Sequence, residues 1–339
     1  MKKKNVKKLL LPLCLILTLC LVLAGCGGQA EEDVAETAPP AEPVSVVIAG
    51  LAGPTSIGMI QLISGQALNS DAYAVEYMVA EAPDALTGKL INGEIQIAAL
   101  PTNTAAVLFN RTEGGVQFLA QNTLGVLYVV GSPEAGVSSL ADLAGKTVAI
   151  SGAGGVPQYA VEYILSQNGL TEQVTLNYLP DHATVAQTLL AGDAEVAVLP
   201  QPFVTQVLNQ NENLSILLDV TEEWTAASGG ESVLSMGCLV VEKTFAEENP
   251  QFIADFLELY QASVNFANEE PAAAAALVEQ EGIIASAAVV EQAIPYCNIV
   301  YKSAQDAKEE IGGFLTVLYE SDPASVGGTL PDDSFYYEP

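Results

Sequence analysis

Apolar positions fall along the chain in three patterns. The first is an almost unbroken run from Leu9 to Leu23, preceded by Lys2, Lys3, Lys4, Lys7 and Lys8. From Val44 onward, short β-branched runs alternate with stretches whose apolar residues recur at helical spacing. The runs predict strands over 44–49, 74–79, 95–100, 116–120, 125–130, 147–151, 174–179, 195–199, 214–219 and 237–242. Between them the spacing predicts helices over 55–69, 102–110, 157–168 and 184–191. Such alternation is the mark of an α/β fold with largely parallel sheets. After Lys243 the pattern becomes wholly helical, over 250–267, 271–279, 285–294 and 304–319.

One internal echo stands out. Leu90-Ile91-Asn92-Gly93-Glu94-Ile95-Gln96-Ile97-Ala98-Ala99-Leu100-Pro101 can be laid over Leu189-Leu190-Ala191-Gly192-Asp193-Ala194-Glu195-Val196-Ala197-Val198-Leu199-Pro200. In each copy a helix ends on glycine, an acidic residue follows, a strand runs to Leu-Pro, and a helix begins. Glycine suits a helix C-cap and proline a first helical turn. Either this is the ordinary repetition of an α/β chain, or two lobes share one construction. The second reading places a strand C-terminus and a helix N-terminus in each lobe, where α/β sheets bind ligands.

The basic then apolar opening, closed by Leu23-Ala24-Gly25-Cys26, has the order of a secretory leader and is short for a membrane span of about 20 residues. Leu-Ala-Gly-Cys resembles the bacterial lipobox, which implies a signal peptide over 1–25 and lipidation of Cys26. An uncleaved anchor is the other reading. Residues 26–43 are rich in Gly, Pro, Ala and Glu and read as a flexible tether. Three of the five cysteines belong to the leader; whether Cys238 and Cys297 pair stays open, since spacing does not decide it.

Composition narrows function. A chain of 339 residues exceeds the size at which one core stops growing, about 250–300. Half the residues are hydrophobic and 15% charged, which excludes a disordered chain. Lys and Arg total 11 against 41 Asp and Glu, so a phosphate-neutralising nucleic-acid surface is excluded. His182 is the only histidine, which argues against a histidine-built metal centre.

Further segments carry a family resemblance: Gly50-Leu51-Ala52-Gly53-Pro54, Ala98-Ala99-Leu100-Pro101-Thr102-Asn103-Thr104, Leu140-Ala141-Asp142-Leu143-Ala144-Gly145-Lys146-Thr147-Val148, Ser151-Gly152-Ala153-Gly154-Gly155 and Ala197-Val198-Leu199-Pro200-Gln201-Pro202-Phe203. With the leader and tether, they resemble the solute-binding lipoproteins of ABC importers, in the branch with nitrate-, sulfonate-, taurine- and thiamine-pyrimidine-binding members. The resemblance implies a type 2 periplasmic-binding-protein-like α/β fold, with two lobes, each a mixed sheet flanked by helices, and a ligand cleft between them. The expected divisions are 44–131 and 236–321 for lobe one, 137–221 for lobe two, and 322–339 as a tail. Segments 125–132 and 224–237 would make the crossings. The resemblance also implies a small-molecule solute, a membrane permease with its ATPase, an extracytoplasmic monomer, and no cofactor.

Candidate ligand residues follow from placement. Gly53, Thr55 and Ser56 open the first helix, where free N–H groups can receive an acceptor-rich group; an ordinary capped turn is the alternative. Ser151, Gly154 and Gly155 form the matching loop of lobe two, which lacks the spacing and the Gly-Lys-Ser/Thr ending of a nucleotide loop. Thr102, Asn103 and Thr104 follow one Leu-Pro; Gln201 and Phe203 follow the other. Asn122 and Thr123 end a strand before the first crossing. His182 stands where a lobe-two strand ends, and Trp224 lies beside the second crossing, able to stack on a planar ligand or to fill a core. Tyr159 is a weaker candidate that equally suits a plain helix face.

No nucleophile–base pairing or metal set is evident, and no enzyme activity is expected. Alternatives are an enzyme on the same fold, resembling menaquinone-pathway dehydratases or thiamine-pyrimidine synthases, and a ligand-sensing lipoprotein. Without residues 1–25 the chain keeps six basic residues (Lys89, Arg111, Lys146, Lys243, Lys302 and Lys308), none in a candidate loop. A neutral or cationic planar solute, stacked on Trp224 or Phe203, is therefore expected in place of an anion.

Overall fold

The computed structural model describes residues 42–80 and 82–339; the leader, Cys26 and nearly all of the tether lie outside the described residues. Eleven strands in this part build two sheets. They are β1 (Val44–Leu51), β2 (Tyr73–Ala80), β3 (Ile97–Pro101), β4 (Val116–Leu124), β5 (Leu127–Gly131), β6 (Thr147–Ile150), β7 (Thr175–Tyr178), β8 (Val196–Pro200), β9 (Ser215–Asp219), β10 (Ser235–Glu242) and β11 (Ile299–Ser303). The first sheet has the order β11-β4-β10-β3-β1-β2 and the second β7-β6-β8-β5-β9. β1 is parallel to β2 and β3, just as β6 is parallel to β7 and β8. β10 runs antiparallel between β3 and β4, and β5 antiparallel between β8 and β9.

The echoed segments occupy equivalent places. β3 meets β1 at Ala98↔Ala49, and β8 meets β6 at Ala197↔Ala149. Each preceding helix ends on a left-handed glycine, Gly93 at φ 72° and Gly192 at φ 79°, a conformation free of steric cost only without a Cβ. The next amide reaches back into the helix in both copies, Glu94 to Lys89 at 2.8 Å and Asp193 to Thr188 at 3.1 Å. Consecutive residues of β3 and β8 are buried, as expected of central strands covered on both faces.

Several expectations need correction. The strand placed in lobe one at 125–130 is β5, which pairs only within the second sheet. Lobe one's first part therefore ends near Leu124, and the first crossing is the short link to β5. Gly125 occupies that link because a Cβ there would fall 2.1 Å from Thr221 Oγ1. The helix Val220–Ala227 packs on the second sheet, which carries that lobe past residue 221 and leaves the second crossing to the segment before β10. The segment after Lys243 is not wholly helical, since β11 adds an edge strand to β4. The helix expected over 55–69 is two short ones, Pro54–Ile57 and Ile60–Gly65. Residues 322–339 are no loose tail: Phe335 is fully buried, its ring 5.3 Å from Phe109 and 5.6 Å from Phe118. Cys238 and Cys297 are both buried and unpaired.

Candidate ligand-binding site

Alternation of direction through β3, β10 and β4 brings the ends of β1, β3 and β4 and the start of β10 to one edge of the first sheet, with Gly237 opposite both Pro101 and Thr123. Two sets of polar side chains collect there. In the first, the hydroxyls of Thr102 and Ser235 are 2.9 Å apart and Gln121 Nε2 donates to Ser235 Oγ at 3.2 Å; all three residues are buried. Thr102 is thus tied to β10 and does not cap its helix.

The second set has no such closure. Ser56 Oγ, both amide atoms of Asn122, Thr123 Oγ1 and Tyr260 Oη are buried without a hydrogen-bond partner among the described residues. Asn122, Thr123 and Tyr260 are neighbours. A Cβ built at Gly237 would lie 2.6 Å from Asn122 Oδ1 and 3.3 Å from the Thr55 methyl, and one at Gly58 would lie 3.0 Å from Tyr260 Oη. Burial pushes the Tyr260 phenol well above its ordinary range, an effect that the neighbouring Asn122 amide only partly offsets. The phenol therefore remains a proton donor at neutral pH. Each unsatisfied buried polar group costs about 1–3 kcal/mol. Clustering of several at one sheet edge is the arrangement of a surface shaped for a polar partner.

The opening loop behaves otherwise than expected. Ser56 and Ile57 donate their amides to Gly53, and the helix that starts here has only four residues, so it offers no helix-terminal anion site. The Thr55 hydroxyl donates to the Leu51 carbonyl at 3.1 Å and accepts from the Leu51 amide at 3.2 Å, pinning the end of β1.

In the second lobe the glycine loop spends its amides internally, Gly155 on Gly152 at 3.0 Å and Gly154 on Gln158 Oε1 at 2.8 Å. What it presents is the Gly154 carbonyl, which accepts from Asn103 Nδ2 at 3.2 Å across the two lobes. The same Asn103 nitrogen donates to Ser325, while Asn103 Oδ1 is unpaired. Thr104, half-buried, is on the same helix.

Ser151 and His182 do form a pair, which the sequence did not reveal: Ser151 Oγ is 2.5 Å from His182 Nδ1, and Phe203 lies 5.7 Å from the imidazole ring. Burial lowers the His182 pKa to about 4, against a smaller opposing effect of Asp181. The ring is neutral at pH 7, so one nitrogen carries a proton and the other accepts, and the tautomer sets which role Nδ1 takes towards the Ser151 hydroxyl. Asp181 accepts from the Thr184 amide at 2.7 Å and does not orient the imidazole, so the third member of a catalytic triad is not in place. Gln201 turns its carbonyl to the amide and hydroxyl of Thr205, a local helix bond.

Trp224 does not face a ligand. It is fully buried between Tyr163, at 4.9 Å, and Phe314, at 5.5 Å, and donates its indole N–H to Ser232 at 3.1 Å. Its polar neighbours in sequence concealed this, because helical geometry turns Trp224 inward and Thr225 outward. The sequence reading missed Gln121, Ser235 and Tyr260. Tyr260 continues the stripe Phe252, Phe256, Tyr260 at four-residue spacing, and nothing in that pattern marks an unpaired hydroxyl.

Residues 66–257 match the family described as ABC transporter, phosphonate, periplasmic substrate-binding protein. The chain belongs to this family. Solved structures agree with the assignment. An ABC transporter from Parabacteroides distasonis is 27% identical with a TM-score of 0.74, over 87% of this chain and 99% of that one. The periplasmic aliphatic sulphonate binding protein SsuA of Escherichia coli has the same fold at 16% identity and a TM-score of 0.70, over 88% and 93%. The periplasmic nitrate-binding protein NrtA of Synechocystis has it at 14% and 0.53, over 70% and 66%. No curated protein sequence matches the chain. As a periplasmic substrate-binding protein of the ABC family, the chain has two α/β lobes with the polar edge described above on the first.

Proposed function

We propose that the chain is the lipid-anchored, extracytoplasmic solute-binding component of an ABC importer. It captures one small molecule between its lobes and hands it to the membrane permease, which is served by a cytoplasmic ATPase. Cys26 carries the anchor, with two acyl chains for stable retention. The observation that carries this reading is the buried, unpaired set of Ser56, Asn122, Thr123 and Tyr260 at the first-sheet edge. On this reading Asn103, which reaches the Gly154 carbonyl of the other lobe, adds a ligand contact from the same lobe, and Ser151, His182 and Phe203 supply the second lobe's contacts. Thr55, Thr102, Gln201, Gly53, Gly154 and Gly155 hold the surrounding backbone.

The solute is neutral or cationic. Four of the six basic residues outside the leader are occupied by carboxylates at the surface: Lys89 by Glu94, Lys243 by Glu247, Lys302 by Glu310 and Lys308 by Asp333. Arg111 is exposed at the end of its helix, and Lys146 sits in a turn before β6. The candidate site thus holds hydroxyls, amides and a neutral imidazole. An anion would be desolvated there without a countercharge, inside a protein whose net charge after leader removal is −35.

The test is capture. The full chain, purified in detergent, is incubated with a metabolite mixture, and retained molecules are identified by mass spectrometry and confirmed by thermal shift. A ligand at 100 times its dissociation constant adds about 2.7 kcal/mol of stability. Retention of a neutral or cationic molecule is the expected result. Retention of nothing overturns the binding-protein reading, and stabilisation only by methylphosphonate, nitrate or taurine overturns the assignment of a neutral or cationic solute.

A further inference from the structure

We propose that the Asn122 side chain is the specificity determinant of this site and that it recognises a cis-amide edge, the adjacent C=O and N–H of a lactam, a urea or a primary amide. The inference rests on the binding-protein reading and names the chemistry of its ligand. Asn122 is 0% exposed, yet neither its Oδ1 nor its Nδ2 makes a well-formed hydrogen bond among the described residues, although the Tyr260 phenol lies beside it. A carboxamide presents one acceptor and two donors along a planar edge. Both atoms are satisfied together only by a group that offers a donor and an acceptor side by side in that plane. Carboxylates and sulfonates are acceptors alone and would leave Oδ1 facing another lone pair. Guanidinium and ammonium groups are donors alone and would leave Nδ2 without an acceptor.

The surroundings hold the amide in place. Gly237 makes room for it, since a Cβ there would lie 2.6 Å from Oδ1. Asn122 stands on β4, held on one side by β10 and on the other by β11. The unpaired hydroxyls of Thr123 and Tyr260 beside it offer hydrogen bonds to the remaining lone pairs of a bound carbonyl.

The test uses matched pairs that differ by the amide N–H: uracil and 1,3-dimethyluracil, 2-piperidone and 1-methyl-2-piperidone, urea and tetramethylurea, with methylphosphonate as the anionic control. Binding to the full chain is measured by calorimetry. A site built around a hydrogen bond rejects the analogue lacking it by orders of magnitude. At least one N–H compound is expected to bind, and its N-methylated partner at least about 100-fold more weakly. Asn122→Leu should abolish binding of that compound while the variant remains folded, with an unfolding temperature at or above that of the parent, because it removes two unsatisfied buried atoms. Gly237→Ala, which displaces the amide without deleting it, should weaken binding at least about tenfold. Equal binding of both members of each pair, or binding of none, overturns the inference. Failure here is distinct from failure of the binding-protein reading: a molecule retained in the capture experiment that lacks a cis-amide edge preserves that reading and sinks this one.

Discussion

Burial acts on His182 by favouring its neutral form, with a pKa lowered to about 4 from an ordinary 6.5. Because the folded value lies below the unfolded one, the unfolded chain binds more protons between those limits. The contribution is complete above about pH 6.5 and is lost as pH falls towards 4. After discounting for the residue's partial exposure, it amounts to roughly 2 kcal/mol. Thermal unfolding of the parent and of His182→Gln at pH 7 and pH 4.5 measures it: the parent should lose more stability, and parallel losses would contradict the assignment. Position along the sequence was enough to single out His182, Ser151, Ser56 and Asn122, since each follows a predicted strand. Orientation was not legible at this scale. Whether Trp224 packs against Phe314 or a ligand, and whether the Tyr260 hydroxyl is paired, depends on residues about 90 and 140 positions away.

Period-two runs reported ten of the eleven strands, and the echoed helix–glycine–strand unit marked the corresponding strands β3 and β8. What periodicity cannot report is which sheet a strand joins, and β5 was misassigned for that reason: its sequence fixes two buried faces and no partner. β11 escaped because five residues including Lys302 and Ser303, at a sheet edge between helical runs, carry little apolar alternation. The Leu140-Ala141-Asp142-Leu143 segment has a physical basis, as Asp142 accepts from the amides and hydroxyls of Ser138 and Ser139 and is held near a pKa of 2. The C-terminal segment read as a tail because its aromatic residues have no periodicity. Its burial predicts that Phe335→Ala costs about 3–5 kcal/mol, as expected for emptying a packed aromatic site. Urea unfolding at equilibrium checks this, and a loss below about 1 kcal/mol would mean that the segment does not contribute to the core.

On the scale of the molecule, the two lobes touch through apolar and polar groups, Trp224 packing on Phe314 at 5.5 Å and Tyr128 Oη donating to the Tyr296 carbonyl at 3.4 Å. Asn103 bonds to Gly154 at 3.2 Å, and Asn209 on the second lobe bonds to Gln292 on the first at 2.9 Å. Neutral hydrogen bonds of this kind contribute about 0.5–1.5 kcal/mol each, and the buried Trp224–Phe314 pair adds an apolar contact that any rotation about the two short crossings must keep or break. Glycines occupy both crossings. Gly229 and Gly230, at φ 65° and 80°, lie in the second, and Gly125 fills a space in the first that admits no side chain. A ligand that bonds to Asn122 on one lobe and to His182 on the other adds contacts that exist only when the lobes are together, and shifts the population by that difference. Small-angle scattering should therefore give a smaller radius of gyration with a captured ligand at saturation than without it. In Asn103→Ala the unliganded profile should move further towards the open form, because one of the cross-lobe bonds is gone, and ligand affinity should fall by the same free energy that closure loses. Superimposable profiles for free and saturated protein would show that binding proceeds without closure.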